Sequence, residues 1–161
     1  LVIKNLKSIK MKRVYLFALL LVYVTSYLGS TKNCPVNDPE IKKQAAKLKG
    51  KTKAQTAENI FNFVKYKVKY EGYSNTKKGA VRTLKEHGGN CCDQAHLLVA
   101  LWRASGIDAL YAHGTNHWWG QCIIDGKKCD CDPTNSSKHK FCKPDHPAKH
   151  RHPTYHKELD H

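Results

Sequence analysis

The spacing of apolar residues predicts two amphipathic helices in the middle of the chain. Apolar side chains recur at helical intervals within residues 56–66, at Ala57, Ile60, Phe61 and Val64. The same spacing is found within residues 91–105, at Ala95, Leu98, Val99 and Trp102. Because residues three and four apart lie on one face of a helix, each segment would bury one side against a core.

Boundary signals predict two further, shorter helices. Asp38-Pro39-Glu40 combines a capping residue, a proline suited to the first turn and an early acid, which predicts a helix that ends by Gly50. Another helix is expected over residues 79–86, because a histidine and two glycines follow it.

The period of the apolar positions changes to two after Gly106, which predicts strands over residues 109–113, 117–124 and 128–132. Asp125-Gly126 is a dipeptide that favours a tight hairpin between the last two strands. Trp118 and Trp119 point to opposite faces of their strand, and we expect Trp119 in the core. Helices followed by antiparallel strands predict one α+β domain over residues 38–137.

The first 30 residues have the layout of a secretory signal peptide. Met11-Lys12-Arg13 precedes an apolar run at residues 14–24 and then small residues, so we interpret Met11 as the true start. The apolar stretch at residues 14–29 is shorter than the roughly 20 residues that a membrane-spanning helix needs. We therefore expect a secreted or extracytoplasmic protein, with a retained N-terminal membrane anchor as the alternative.

The chain carries an excess of positive charge. Its 161 residues include 28 Lys and Arg against 13 Asp and Glu, a net charge of +15, and loss of five basic residues with the signal would leave +10. Residues 138–161 form a basic, histidine-rich tail with little to bury, which we expect to be extended or loosely docked. This charge favours contact with an anionic wall polymer or membrane surface, whereas export argues against a nucleic-acid partner. The oligomeric state is not indicated.

Three residues at distant positions supply the parts of a cysteine-based active site. Cys91 follows a glycine-containing loop at a helix start, where unpaired N–H groups and the helix dipole favour a thiolate. His117 begins one predicted strand and Asp132 ends the next, so a short hairpin would bring them side by side. A thiolate, an imidazole and an orienting carboxylate can together perform acyl transfer. Asp130 is the alternative carboxylate, because it points to the same side of its strand.

The order of these motifs resembles the transglutaminase-like (papain-like) superfamily. The matching motifs are Gly-x-Cys-x-Asp at residues 89–93, a helix end at residues 101–107, His-Trp-Trp at residues 117–119 and Asp-Pro-Thr at residues 132–134. The resemblance implies a papain-like core of helices packed on an antiparallel sheet. It also implies Cys91 as nucleophile, His117 as general base and acid, and Asp132 as orienting carboxylate. We assign no cofactor and no metal to this site.

Within the superfamily, the run Gly-Asn-Cys-Cys-Asp-Gln-Ala at residues 89–95 is most similar to archaeal pseudomurein endoisopeptidases. Those cysteine peptidases cut the Ala–Lys isopeptide crosslink of methanogen walls. We therefore expect a secreted peptidase that hydrolyses amide or isopeptide bonds of a cell-wall peptide or protein. The alternatives are transglutaminase-type crosslinking by the same triad and a non-catalytic secreted protein that binds wall or metal. Transglutaminases place an upstream Trp at the oxyanion, but every Trp here follows Cys91, so the second oxyanion donor is unassigned.

The other cysteines leave several alternatives open. Cys92 lies about 100° around the helix from Cys91, so we expect a packed thiol or disulfide partner outside the active site. Export would allow up to three disulfides among the six cysteines other than Cys91, whereas an anaerobic habitat would leave them reduced. A further alternative is a soft-metal site formed by Cys129, Cys131, Cys142, His139 and His146.

Overall fold

The computed structural model describes residues 30–134, 138–146, 150 and 152–159. Residues 1–29 of the predicted signal segment lie outside these ranges, so export stays a prediction. Within the ranges described, no helix combines the length and apolar character needed to cross a membrane.

Helices make up the first part of the fold. The described residues form α1 (Pro39–Lys47), α2 (Lys53–Lys67), α3 (Gly79–Glu86) and α4 (Cys91–Ala104). Side chains of Asp38, Thr52 and Asn90 cap α1, α2 and α4 by accepting hydrogen bonds from first-turn N–H groups. The predicted helices are confirmed, although α2 starts earlier than expected because Thr52 caps it.

Two short parallel strands lie beside the start of α4. They are β1 (Lys69–Tyr70) and β2 (Gly88–Gly89), and they follow α2 and α3 respectively. Their pairing ties the glycine loop that leads into α4 to the end of α2. Strands of two residues are too short to produce a periodic pattern, which is why the sequence did not predict them.

An antiparallel sheet forms the second layer. Its strands are β3 (Asp108–Gly114), β4 (His117–Ile124), β5 (Lys127–Cys131) and β6 (Thr154–His156), in the order β5-β4-β3-β6. Asp125 and Gly126 both have positive φ, 50° and 76°, as the predicted hairpin between β4 and β5 requires. The α+β fold class is confirmed.

Helix α4 lies at the centre of the core. Its residues 92–102 are all buried, because it packs against the other helices and against β3 and β4. Gly120 allows this close approach: a Cβ there would lie 2.7 Å from the ring of Trp102 and 2.8 Å from Leu98. Trp119 is fully buried, as predicted, but its ring packs against His117 and His146, and Trp118 is the tryptophan of this strand that belongs to the apolar core cluster. This packing sets the position of α4 relative to β4, and both elements carry candidate site residues.

The histidine-rich tail packs on the domain, so the expectation of an extended or loosely docked segment was wrong for its described residues. Strand β6 pairs with β3, and the relative solvent exposure of Leu159 is only 1%. His139 and His150 are also buried. The expectation relied on the scarcity of apolar residues, whereas backbone pairing and buried imidazoles hold this segment.

Candidate active site

Side chains of the Gly-Asn-Cys-Cys-Asp-Gln run hold the start of α4. The side-chain oxygen of Asn90 accepts a hydrogen bond from the backbone N–H of Asp93 at 3.0 Å, and its amide group donates to carbonyls at residues 73 and 75. The amide group of Gln94 donates to the carbonyl of Gly89 at 3.0 Å. The helix start that bears Cys91 is therefore tied to the loops on both sides of it.

Asp93 joins another loop to the same helix. Its carboxylate is fully buried, and one oxygen accepts hydrogen bonds from the backbone N–H groups of Lys78 and Gly79 at 2.9 and 2.8 Å. The other oxygen accepts a hydrogen bond from the phenol of Tyr73. Because a buried carboxylate is costly without partners, these contacts hold the loop at residues 73–79 against α4.

The structure brings Cys91, His117 and Asp132 together. Nε2 of His117 lies 2.7 Å from Oδ2 of Asp132, and the imidazole is close enough to the sulfur of Cys91 for each group to shift the pKa of the other. Because Nε2 faces the carboxylate, Nδ1 is the nitrogen left for the sulfur. Cys91 and His117 are each partly exposed, whereas Asp132 is fully buried. Solvent therefore reaches part of Cys91 and of His117 but not the carboxylate of Asp132.

Both oxygens of Asp132 are hydrogen-bonded. Oδ1 accepts from the backbone N–H of Thr134 at 2.9 Å and from its hydroxyl at 2.6 Å. Oδ2 contacts His146, whose Nε2 is 2.8 Å away, as well as His117. His139 approaches the same oxygen at 3.5 Å. The sequence indicated His139 and His146 only as possible metal ligands, because no local signal relates the tail to Asp132.

The sulfur of Cys91 is stabilised as a thiolate. A hydrogen bond from the Cys92 thiol is the largest influence on the pKa of Cys91, and burial opposes it. His117 and the backbone N–H of Trp118 add to the decrease, so that the pKa is about 4. Donation to Cys91 raises the pKa of Cys92 far above its usual value. Cys92 is a free thiol packed in the core, as predicted, but its sulfur still affects the pKa of Cys91, which the angle around the helix did not suggest.

The imidazole and the carboxylate stabilise each other's charged forms. Burial lowers the pKa of His117, but its hydrogen bonds with Asp132 and Cys91 outweigh burial and raise the pKa to about 9. Burial acts to raise the pKa of Asp132, yet hydrogen bonds from His117 and His146 hold that pKa well below its usual value. A thiolate–imidazolium pair is therefore the favoured state between about pH 4 and pH 9.

The alternative carboxylate, Asp130, is engaged elsewhere. Its oxygens accept hydrogen bonds from the amide of Gln121 at 2.8 Å and from the phenol of Tyr155 at 2.9 Å. Asp132 is thus the carboxylate that contacts the imidazole of His117.

The cysteines form one disulfide, between Cys129 and Cys142. The free cysteines are Cys34, Cys91, Cys92, Cys122 and Cys131. Of the alternatives left open by the sequence, the structure therefore contains a single bridge rather than three or none. The bridge joins β5 to the loop at residues 138–146.

Two groups of described side chains could hold a metal ion. His117, Asp132 and His146 offer ligand atoms within 4.8 Å of one another, and their approach is already explained by hydrogen bonds. The sulfurs of Cys122, Cys129 and Cys131 form the second group, within the same distance. Of the metal ligands considered from the sequence, the three cysteines lie together, whereas His139 and His146 contact Asp132 instead.

Residues 42–133 match the Transglutaminase-like superfamily. The matched segment covers more than half of the chain and includes Cys91, His117 and Asp132. The chain belongs to this superfamily. No curated protein matches the sequence.

Two solved structures are similar to this transglutaminase-like protein. One is a candidate cysteine protease from Cytophaga hutchinsonii, 26% identical, with a TM-score of 0.60 over 72% of this chain and 44% of that chain. The other is a candidate protease from Parabacteroides distasonis, 17% identical, with a TM-score of 0.50 over 57% of this chain and 22% of that chain. The second likeness concerns the fold alone. The chain thus spans less than half the length of each of these two structures.

Proposed function

We propose that this protein is a secreted cysteine peptidase that hydrolyses amide or isopeptide bonds in cell-wall peptides of the pseudomurein type. The observation that carries the proposal is the convergence of Cys91, at the start of a buried helix, with His117, whose imidazole is hydrogen-bonded to Asp132. The likeness to the candidate cysteine protease of Cytophaga hutchinsonii supports this class of chemistry. The signal-like first 30 residues support export, and the run at residues 89–95 supports a wall crosslink as substrate.

In the proposed reaction, the thiolate of Cys91 attacks the carbonyl carbon of the scissile bond. Negative charge then develops on the carbonyl oxygen near the N-terminus of α4, where the helix dipole favours it. Protonated His117 donates its proton to the departing amine as the C–N bond breaks, which leaves a thioester on Cys91. Neutral His117 next takes a proton from water, which attacks the thioester and releases the acid. Asp132 holds the imidazole in place during both steps.

A basic cleft beside the catalytic residues supports an acidic peptide as substrate. The cleft has a volume of about 340 Å³, and its lining includes Lys65, Lys67, Lys69, Tyr70, His87 and Pro133. The cleft adjoins the site along the chain, because Pro133 directly follows Asp132. Tyr70 also lies near Cys91: burial raises the pKa of the Tyr70 phenol, and the charge of Cys91 raises it further. Ammonium groups along this cleft would attract carboxylates of a wall peptide.

The test of the proposal uses purified pseudomurein and, in parallel, bacterial peptidoglycan. Each polymer is incubated with the full chain, and the released fragments are identified by mass spectrometry. We expect fragments with new amine and carboxyl ends, because hydrolysis adds one water for each bond cut. Cys91→Ala should release none, whereas Cys34→Ala, which alters a free thiol buried elsewhere, should match the wild type. Equal release by Cys91→Ala, or no release from either polymer, would contradict the proposal.

Transamidation is the second candidate, favoured by the superfamily match itself. The same thioester can react with a lysine amine in place of water, so the catalytic residues serve both reactions. A labelled primary amine added to the wall digestion separates them. Hydrolysis predicts that new amines are released faster than label is incorporated, and the reverse order would favour crosslinking.

A further inference from the structure

We propose that Cys122, Cys129, Cys131 and Cys142 form a binding site for one zinc-class divalent ion, held by four thiolates. These cysteines are separate from Cys91 and Cys92, the two thiols of the catalytic site. They are four of the seven cysteines in the chain: Cys122 lies on β4, Cys129 and Cys131 lie on β5, and Cys142 lies in the loop at residues 138–146. Four cysteine sulfurs around one ion is the ligand set of a structural zinc site.

The register of the sheet assembles three of the ligands. Cys122 on β4 is the direct cross-strand partner of Cys129 on β5, so their side chains share one face of the hairpin. Cys131 lies two residues further along β5 and therefore points to the same face. The three sulfurs lie within 4.8 Å of one another. A tetrahedral site with Zn–S bonds of about 2.3 Å places sulfurs about 3.8 Å apart, so small rotations would close the group around an ion.

Cys142 brings the fourth sulfur from a separate loop. The backbones of Lys140 and Lys143 exchange two hydrogen bonds, at 3.1 and 3.0 Å, which close a tight turn around Cys142. Cys142 has a φ of 58°, a left-handed conformation that is disfavoured for a residue with a side chain. Such backbone strain persists where the surroundings over-determine it, and ligand sites are common examples. In the structure its sulfur forms the disulfide bond with Cys129.

Burial raises the pKa of the Cys131 thiol, whereas one backbone contact and the nearby lysines would favour charged sulfur once an ion binds. The backbone N–H of Cys142 donates a hydrogen bond to the sulfur of Cys131 at 3.4 Å, a contact that stabilises a thiolate. Lysines at positions 127, 128, 140 and 143 flank the ligand positions, and their charge would offset the two net negative charges of the bound complex. Cys122, Cys129 and Cys131 are buried and Cys142 is exposed, so the ion would lie at the edge of the core with three of its ligands shielded from water.

The disulfide and the metal complex are two states of one cluster. A dithiol reductant gives two electrons and two protons to the Cys129–Cys142 bridge, which becomes two thiols while the reductant becomes a disulfide. Binding of the divalent ion then releases four protons, one from each thiol. In the bridged state Cys122 and Cys131 remain free thiols. Because they lie beside the disulfide, either one can attack it by thiol–disulfide exchange. In the metal-bound state all four sulfurs are ligands.

The position of the ion would link it to the catalytic carboxylate. Cys131 directly precedes Asp132, and Cys142 lies in the loop that carries His139 and His146. Both imidazoles contact Asp132. An ion that joins β5 to this loop would therefore hold the partners of Asp132 in place without touching Cys91.

The first test measures metal in the wild-type full chain, produced with zinc and purified with a phosphine reductant that contains no thiol. We expect one zinc per chain by plasma mass spectrometry. A mercurial thiol reagent should release that zinc as four thiols react. Cobalt(II) in its place should show the visible bands of a tetrahedral site and thiolate-to-cobalt charge transfer. Less than about 0.2 zinc per chain, in protein whose seven thiols all react freely, would overturn the proposal.

Matched variants test the ligand assignment. Cys122 and Cys34 are both free and fully buried, but only Cys122 lies in the cluster. Cys122→Ser is expected to weaken zinc binding by about 100-fold or more in competition with a chromophoric chelator, whereas Cys34→Ser should bind as the wild type does. Circular dichroism checks that each variant is folded. Wild-type affinity in folded Cys122→Ser would overturn the assignment, and the wild-type stoichiometry decides the matter should that variant not fold.

Discussion

Replacement of His117 by alanine tests whether the imidazolium holds the sulfur of Cys91 as a thiolate. In the intact site the pKa of Cys91 is about 4. The sulfur is therefore about 90% ionised at pH 5. Removal of the imidazole takes away both a hydrogen bond and a positive charge.

The structure limits how far the pKa of Cys91 can return toward its ordinary value of 9.0 in this variant. Hydrogen bonds from the Cys92 thiol and from the backbone N–H of Trp118 remain and continue to lower it. Loss of an adjacent opposite charge typically raises such a pKa by about 1 to 3. The ionised fraction at pH 5 should then fall to between about 50% and 1%, which slows alkylation by about 2- to 90-fold.

The assay is the pH dependence of iodoacetamide alkylation, with peptide mass spectrometry to distinguish Cys91 from Cys92. We expect a midpoint near pH 4 for the wild type and a clearly higher midpoint for His117→Ala. His152→Ala, which removes an exposed histidine of the tail, should leave the curve unchanged. A wild-type midpoint near pH 9, or the same midpoint with and without His117, would refute the ion-pair reasoning. The rate constant kcat/KM should rise through about pH 4, as the thiolate forms, and fall through about pH 9, as the imidazolium loses its proton.

Three other substitutions test neighbouring features. His146→Ala removes one partner of Asp132 and should lower kcat by about 2- to 13-fold with unchanged alkylation of Cys91, while an unaltered kcat would make this contact irrelevant. Tyr70→Phe removes a phenol from the cleft, near enough to Cys91 to respond to its charge, and tests the unassigned oxyanion donor: a loss of about 100-fold in kcat would give Tyr70 that role, and full activity would exclude it. Gly120→Ala should lower the free energy of unfolding by about 1–3 kcal/mol in urea titration, because the added Cβ would overlap Trp102 and Leu98. An unchanged free energy would mean that α4 and β4 can move apart without loss of packing.

The helix and the hairpin that carry the site were predictable because their signals are local. Asn90 can cap α4 and the apolar spacing identifies its buried face, both within one segment of chain. Asp125-Gly126 likewise specifies the turn that sets β4 beside β5. From these two elements alone, His117 and Asp132 could be expected side by side, and the 2.7 Å contact agrees.

Features that depend on distant parts of the chain could not be predicted in this way. Strand β6 has three residues, and its pairing with β3 depends on a free sheet edge rather than on an apolar pattern. His146 reaches Asp132 only because the tail packs back on the domain. The angle around the helix correctly predicted that Cys92 packs in the core, but it gave no sign that the Cys92 thiol affects the pKa of Cys91.

The sequence by itself determined the order of helices and strands, the thiol at a helix start and the hairpin that pairs an imidazole with a carboxylate. Each depends on capping, periodicity or turn preference, which are interactions between residues only a few positions apart in the sequence. The tertiary structure alone decided which histidines surround Asp132, that Cys92 donates to Cys91, and that four cysteines from β4, β5 and a loop converge. Those contacts arise from packing between segments far apart in sequence, where the geometry of the whole core selects the partner.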